Sequence, residues 1–139
     1  MVRWGLSRWA LLGLISATIG CGALFSSLAP AWKDVAITDA KTVSGKWEGL
    51  LTRLPRSWRD DWVSITIAED GSYTWANYRQ IGAFSGQGRL AIRDGRFTTV
   101  GERGGATGTL HVDGTRRMLR VVGRSKDGLE DIAELEPVK

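Results

Sequence analysis

The chain holds one cysteine and one histidine in 139 residues. A lone Cys closes no internal disulfide, and Cys21 with His111 does not make up a Cys/His zinc site. Acid–base or Ser/His chemistry would have to run through His111 or through carboxylates alone. Ser85 and Ser125 have no nucleophile elbow around them. Phosphate loops are missing too. Gly86-Gln87-Gly88-Arg89-Leu90-Ala91 fits a relaxed dinucleotide fingerprint but lacks the strand–turn–helix setting that makes one work. No Gly-Lys-Ser/Thr follows the glycines from Gly101 to Gly108. A non-enzymatic protein with no cofactor and no metal is therefore expected. Asp60 and Asp61 are the carboxylates on which an enzyme would have to fall back.

Charge of one sign is also scarce. The net charge is +4, and two of the cations, Arg3 and Arg8, lie ahead of a long uncharged stretch. Beyond residue 31, 17 Lys and Arg stand against 15 Asp and Glu. That mild excess is no nucleic-acid footprint. With 42% hydrophobic and 24% charged residues and only 3 Pro, the composition is that of a folded protein.

No charge occurs from Trp9 to Trp32, a run of 24 residues. As a helix this run would be about 36 Å long, enough for a hydrocarbon core of about 30 Å. Arg3 and Arg8 precede it, so the positive-inside rule puts the N-terminus in the cytoplasm and the rest outside, at the periplasmic face of the membrane. Three fates compete. Ala29-Pro30-Ala31 is a small-x-small signal cleavage site. Thr18-Ile19-Gly20-Cys21 resembles a lipobox, with Cys21 lipidated. A retained anchor is favoured by Trp9 and Trp32, which bracket the run as interfacial aromatics do. Gly13, Ser16, Ala17, Gly20 and Cys21 then form a small-residue stripe on which a second membrane helix could pack.

Residues 1–32 are thus read as an anchor, 33–44 as a polar linker and 45–139 as the folded body. The body's main signal is a repeated Asp-Gly, at Asp70-Gly71, Asp94-Gly95, Asp113-Gly114 and Asp127-Gly128. Asp-Gly adopts the positive φ angles of two-residue hairpin turns. Each pair sits between short segments of period two, such as Val63, Ile65 and Ile67 before the first and Tyr73 and Trp75 after it. Eight strands follow, at 46–54, 62–69, 72–79, 84–93, 96–101, 106–112, 116–123 and 129–136. The expected fold is all-β: an eight-stranded up-and-down antiparallel barrel behind one hydrophobic helix. An open or two-layer sheet is the other arrangement open to these strands.

The first strand opens with Gly45-Lys46-Trp47, which resembles the Gly-x-Trp that begins lipocalin-like (calycin) barrels. The resemblance implies that Gly45 and Trp47 plug one end of the barrel. It also implies a late basic residue over the Trp, for which Arg120, Arg124 and Lys126 are the candidates. The lipocalin Thr-Asp-Tyr motif is absent, and the body is shorter than a lipocalin. Trp47, Tyr73, Trp75, Phe97, Leu90, Ile92, Leu110 and Met118 are the interior candidates, as core or as pocket.

The connection Leu54–Asp61 is the odd one, carrying Arg56, Trp58 and Arg59. These make either a contact site for a membrane, subunit or ligand, or a loop folded back with Arg on Trp. Arg116, Arg117, Arg120, Arg124 and Lys126, near Glu130, Asp131 and Glu134, read as a solvated face, with His111 exposed beside a turn. The function expected is an accessory subunit of a membrane protein complex. The alternative is a lipocalin-like carrier of a small apolar ligand.

Overall fold

The computed structural model describes residues 31–55, 61–79, 82–101, 104–126 and 128–139. The N-terminal helix and the stripe Gly13, Ser16, Ala17, Gly20 and Cys21 lie outside them, as does the loop with Arg56, Trp58 and Arg59. Among the described residues no helix is long and apolar enough to cross a membrane.

The strands are β1 (Lys33–Val35), β2 (Gly45–Leu54), β3 (Asp61–Ile67), β4 (Ser72–Arg79), β5 (Gly82–Arg89), β6 (Ala91–Arg93), β7 (Arg96–Gly101), β8 (Gly104–Asp113), β9 (Arg116–Ser125) and β10 (Glu130–Pro137). They form one antiparallel sheet in the order β5-β4-β3-β2-β10-β9-β8-β7-β6. β1 lies beside β8, where Lys33–Val35 pairs with Leu110–Val112, next to the stretch of β8 that pairs with β7. The result is a curled antiparallel barrel.

Alternation sets which side chains face the interior, because ladder partners share a face. Trp47, Ile65 and Trp75 are one such row, and Leu135, Leu119 and Leu110 follow in register on the opposite wall. Of these, Trp47, Leu135, Leu119 and Leu110 are buried with Ile37, Val43, Ile67 and Phe97 in the core, and Ile65 packs against it. Met118 does not belong to it: it pairs with His111 on the outer face, and Leu119 takes the inward place.

One predicted strand, 84–93, is broken in two. The chain bends at Leu90, whose N–H leaves the ladder and donates to the Gly71 carbonyl (2.9 Å). Before the bend the strand pairs with β4, after it with β7. Because β5 and β6 are the two ends of the sheet, the barrel's circle is closed at this point by the chain itself rather than by a ladder.

The three Asp-Gly pairs that lie wholly among the described residues sit at turns, in different ways; Asp127 lies outside those residues. Asp94 (φ 51) and Gly95 (φ 73) are both left-handed, as a two-residue type I′ hairpin requires. At Asp70-Gly71 the Asp70 carboxylate accepts from the Ser72 N–H (2.9 Å) and hydroxyl (2.6 Å), an Asx turn. Asp113 is the last residue of β8, so Gly114-Thr115 forms the loop there.

Residues 33–44, read from their polarity as a linker, are docked on the barrel. β1 pairs with β8, the Ile37 N–H donates to the Gly95 carbonyl (2.9 Å), and Ile37 and Val43 are buried. Asp39 caps a single 3-10 turn, Ala40–Val43, by accepting from the Thr42 N–H (3.0 Å). Val35, Ile37 and Val43 are scattered among polar residues without a sustained period, which is why the sequence hides this docking.

Candidate functional site

The barrel has two unlike ends. One gathers the 3-10 turn, β1 and the hairpins β3–β4, β6–β7 and β8–β9. The other gathers the connections β2–β3, β4–β5, β7–β8 and β9–β10. The first is closed. Trp47 is 1% exposed, and its indole N–H donates to the Val43 carbonyl (2.8 Å). The guanidinium of Arg117 lies over the Trp47 ring, 5.3 Å from its centroid, and donates to the Thr42 carbonyl. Gly45 is exposed at the start of β2, so Trp47 rather than Gly45 fills the closed end. The basic residue over Trp47 is Arg117, not Arg120, Arg124 or Lys126. Parity decides this: Arg117 shares the inward face of β9 with Leu119, while Arg120 and Arg124 face outward.

Toward the other end the same inward rows turn polar. On β2 the row is Trp47, Gly49, Leu51, Arg53; on β10 it is Leu135, Ala133, Asp131; on β4 it is Tyr73, Trp75, Asn77. Arg53 and Asp131 are ladder partners and form a two-point ion pair, Nε–Oδ1 2.7 Å and Nη2–Oδ2 3.2 Å. The hydrogen bond to Asp131 raises the Arg53 pKa above its ordinary value. Asp61, opposite Leu51, faces the same space. The pair is not shut away: the Arg53 and Asp131 side chains are 36% and 26% exposed. Phe84, opposite Asn77 on the inward face of β5, is 38% exposed. β5 is the free end of the sheet, so Phe84 meets water along that edge. The mouth half of the barrel, its cup, thus has part-exposed polar residues facing inward, and the closed half is a packed core.

Asn77 is the anomaly in this cup. It is 5% exposed, yet its Oδ1 has no hydrogen-bond partner. A buried carbonyl oxygen without a donor costs about 1–3 kcal/mol. Three aromatic rings coat the wall around the cup and core, each over the glycine opposite it: Trp75 on Gly86, Tyr73 on Gly88 and Phe97 on Gly108. A Cβ at Gly108 would stand 2.1 Å from the Phe97 ring, so the ring can lie flat only because that position is glycine.

Of the interior candidates, Trp47, Phe97 and Leu110 are buried in the core, Tyr73, Leu90 and Ile92 pack against it, and Trp75 lies over Gly86. Arg53, Asn77 and Asp131 were missed. The signal was present as parity: each continues an inward row of apolar residues at the same end of its strand. His111 is not exposed as expected. Its side chain is 15% exposed beneath β1, with Nδ1 2.8 Å from Asp34 and Nε2 2.9 Å from the Thr109 hydroxyl. Trp32 lies against the closed end, with the Arg116 guanidinium 5.2 Å above its ring. Among the described residues no cluster of His, Cys, Asp and Glu is arranged to hold a metal ion.

No family model and no curated protein matches the chain. Among solved structures it is similar to the crystal structure of zebrafish ileal bile acid-binding protein complexed with cholic acid. The identity is 12% and the TM-score 0.33, over 70% of this chain and 98% of that one. The description of the fold as a curled antiparallel barrel rests on this chain's own ladder.

Proposed function

We propose that the protein is a non-enzymatic carrier that holds one small amphipathic molecule in the mouth of its barrel. The observation that carries this reading is the change of the inward rows from packed and apolar to open and polar. The apolar part of the ligand rests on Leu51, Trp75 and Phe84. Its polar part meets Arg53 and Asp131, which offer both a donor and an acceptor.

Titration with naphthalene-sulfonate and hydroxy-fatty-acid probes, read by probe and tryptophan emission, tests the proposal. One saturable site is expected, and Arg53→Met and Phe84→Ala should each weaken it while the fold persists. Saturable binding that neither substitution alters, or no binding of any probe, refutes it.

A second reading concerns attachment. Trp32 and β1 hold the start of the described chain to the closed end, with no free linker between. If residues 9–32 are a retained anchor, the closed end faces the membrane and the mouth faces away from it, on the periplasmic side. This supports a tethered carrier and leaves the mouth free for a ligand or for a membrane-complex partner. Mass spectrometry of the membrane-extracted protein tests the tether. A chain beginning at Met1 is expected, and one beginning near Trp32 or at a lipidated Cys21 removes it.

A further inference from the structure

The outward faces of the barrel's walls differ in kind. On β9 and β10 the outward face carries, between Met118, Val122 and Ile132, three arginine–glutamate pairs: Arg116–Glu136 at 2.9 Å, Arg124–Glu130 at 3.2 Å and Arg120–Glu134 at 4.0 Å. This is how a solvated sheet face is ordinarily dressed. On β3, β4 and β5 the outward positions between Trp62 and Gln87 carry no charge among the described side chains. Charges stop at the margins, in the Lys46–Glu48 pair (2.6 Å) on β2 and the Arg89–Asp70 pair (3.1 Å) near the closed end.

In place of charge this wall has hydroxyls, an amide and exposed rings. Ser64, Thr66, Thr74, Ser85 and Gln87 line a concavity of about 430 Å³ on it. Trp62 and Tyr78, ladder partners on the same face, stand two residues along their strands from Ser64 and Ala76 and are 46% and 54% exposed. Two large rings held side by side in water are not needed by the core.

The chemistry of the face selects its ligand. A hydroxyl or carboxamide both donates and accepts, so the face matches a ligand dense in hydroxyls. The charges beside it, Lys46 and Glu48 opposite Thr66 and Ser64, are paired with each other, so it favours neither an anion nor a cation. An aromatic ring presents an apolar plate with a polar tip, which suits a ligand that is apolar on one side and wet on its rim. The geometry points to a neutral saccharide bound on the outer wall of β3–β5, its ring face on Trp62 and Tyr78 and its hydroxyls on the Ser/Thr/Gln strip. This site is on the outside of the barrel and is independent of the mouth.

The test uses the full chain and neutral cello-, chito- and malto-oligosaccharides in calorimetry, with the insoluble parent polysaccharides in pull-downs. Binding of at least one series is expected, unchanged between low and 0.5 M salt because no ion pair contributes. Trp62→Ala and Tyr78→Ala should each weaken it by roughly five- to tenfold. Thr74→Glu, which brings a charge onto the strip, should weaken it too and guards against a folding defect in the aromatic variants. Arg120→Ala on the charged wall and Asn77→Leu in the mouth should leave it unchanged. Absence of binding at millimolar saccharide overturns the proposal, as does binding that survives all three wall substitutions. So does a finding that Trp62 and Tyr78 are needed for self-association or for attachment to phosphatidylcholine vesicles while no saccharide binds.

Discussion

At the closed end, Trp47, Leu119 and Leu135 are buried to within 1% of their surface, and a cation lies over the Trp ring. At the mouth, β2 and β10 carry Arg53 and Asp131 inward, and β4 carries Asn77. The alternation is unbroken from one end to the other; only the chemistry of the inward residue changes. Burial at one end stabilises the barrel by about 25 cal/mol per Å² of apolar surface removed from water. The other end forgoes that gain and keeps an unpartnered amide oxygen. A small barrel can be half core and half cup, with the core half holding the cup's walls in place.

The sharpest way to break this contrast is to empty the closed end. Trp47→Ala should cost about 3–5 kcal/mol, since it opens a large cavity and strands the Val43 carbonyl and the Arg117 side chain. Urea unfolding followed by circular dichroism measures it, and a loss under about 1 kcal/mol would move the core elsewhere. Next in size is Gly108→Val. The new side chain collides with the Phe97 ring and should cost about 1–3 kcal/mol. A thermal melt unchanged from the parent would show that the ring does not depend on the glycine.

Asn77→Leu inverts the sign at the other end. Replacing a buried, unpartnered amide of similar size by an apolar side chain should raise stability by about 1 kcal/mol in urea unfolding. A loss of stability would show that the amide oxygen has a partner in solution.

The smallest expected effect is on pH. Hydrogen bonds from Thr42 to Asp39 and from Ser72 to Asp70 hold both carboxyls below the usual value of 3.8. Their charged forms are favoured in the folded state. Their support of the closed end is thus complete above pH 3.8 and fades as the pH falls through the lowered folded values. NMR titration of the two carboxyls should give midpoints below 3.8, with the Thr42 and Ser72 amide signals moving in step. Midpoints at or above 3.8 would show that the cap and the turn are open in solution.

The strands were legible because alternation and Asp-Gly are local signals. Seven of the eight sequence-derived strands correspond to single strands, and the eighth to β5 and β6 together. The bend at Leu90 was not legible, because it answers to where two distant partner strands lie. Arg117 was misplaced for a related reason: several arginines crowd one strand, and parity must be counted from Leu119 to tell inward from outward. The mouth residues look like ordinary surface charges until the inward rows of three strands are lined up. Docking of residues 33–44 depends on Ile37 and Val43, two apolar positions that no periodicity links.

The ladder between β2 and β10 joins the first long strand of the barrel to the last, as in Arg53 and Asp131, 78 residues apart. During synthesis from the N-terminus, that ladder cannot form until the final strand has left the ribosome. Until then β2 is an edge, and the inward faces of its neighbours have nothing to close over them. The barrel is thus a structure of high contact order, expected to fold in milliseconds to seconds rather than microseconds. Its most aggregation-prone moment is the interval before Glu130–Pro137 is made.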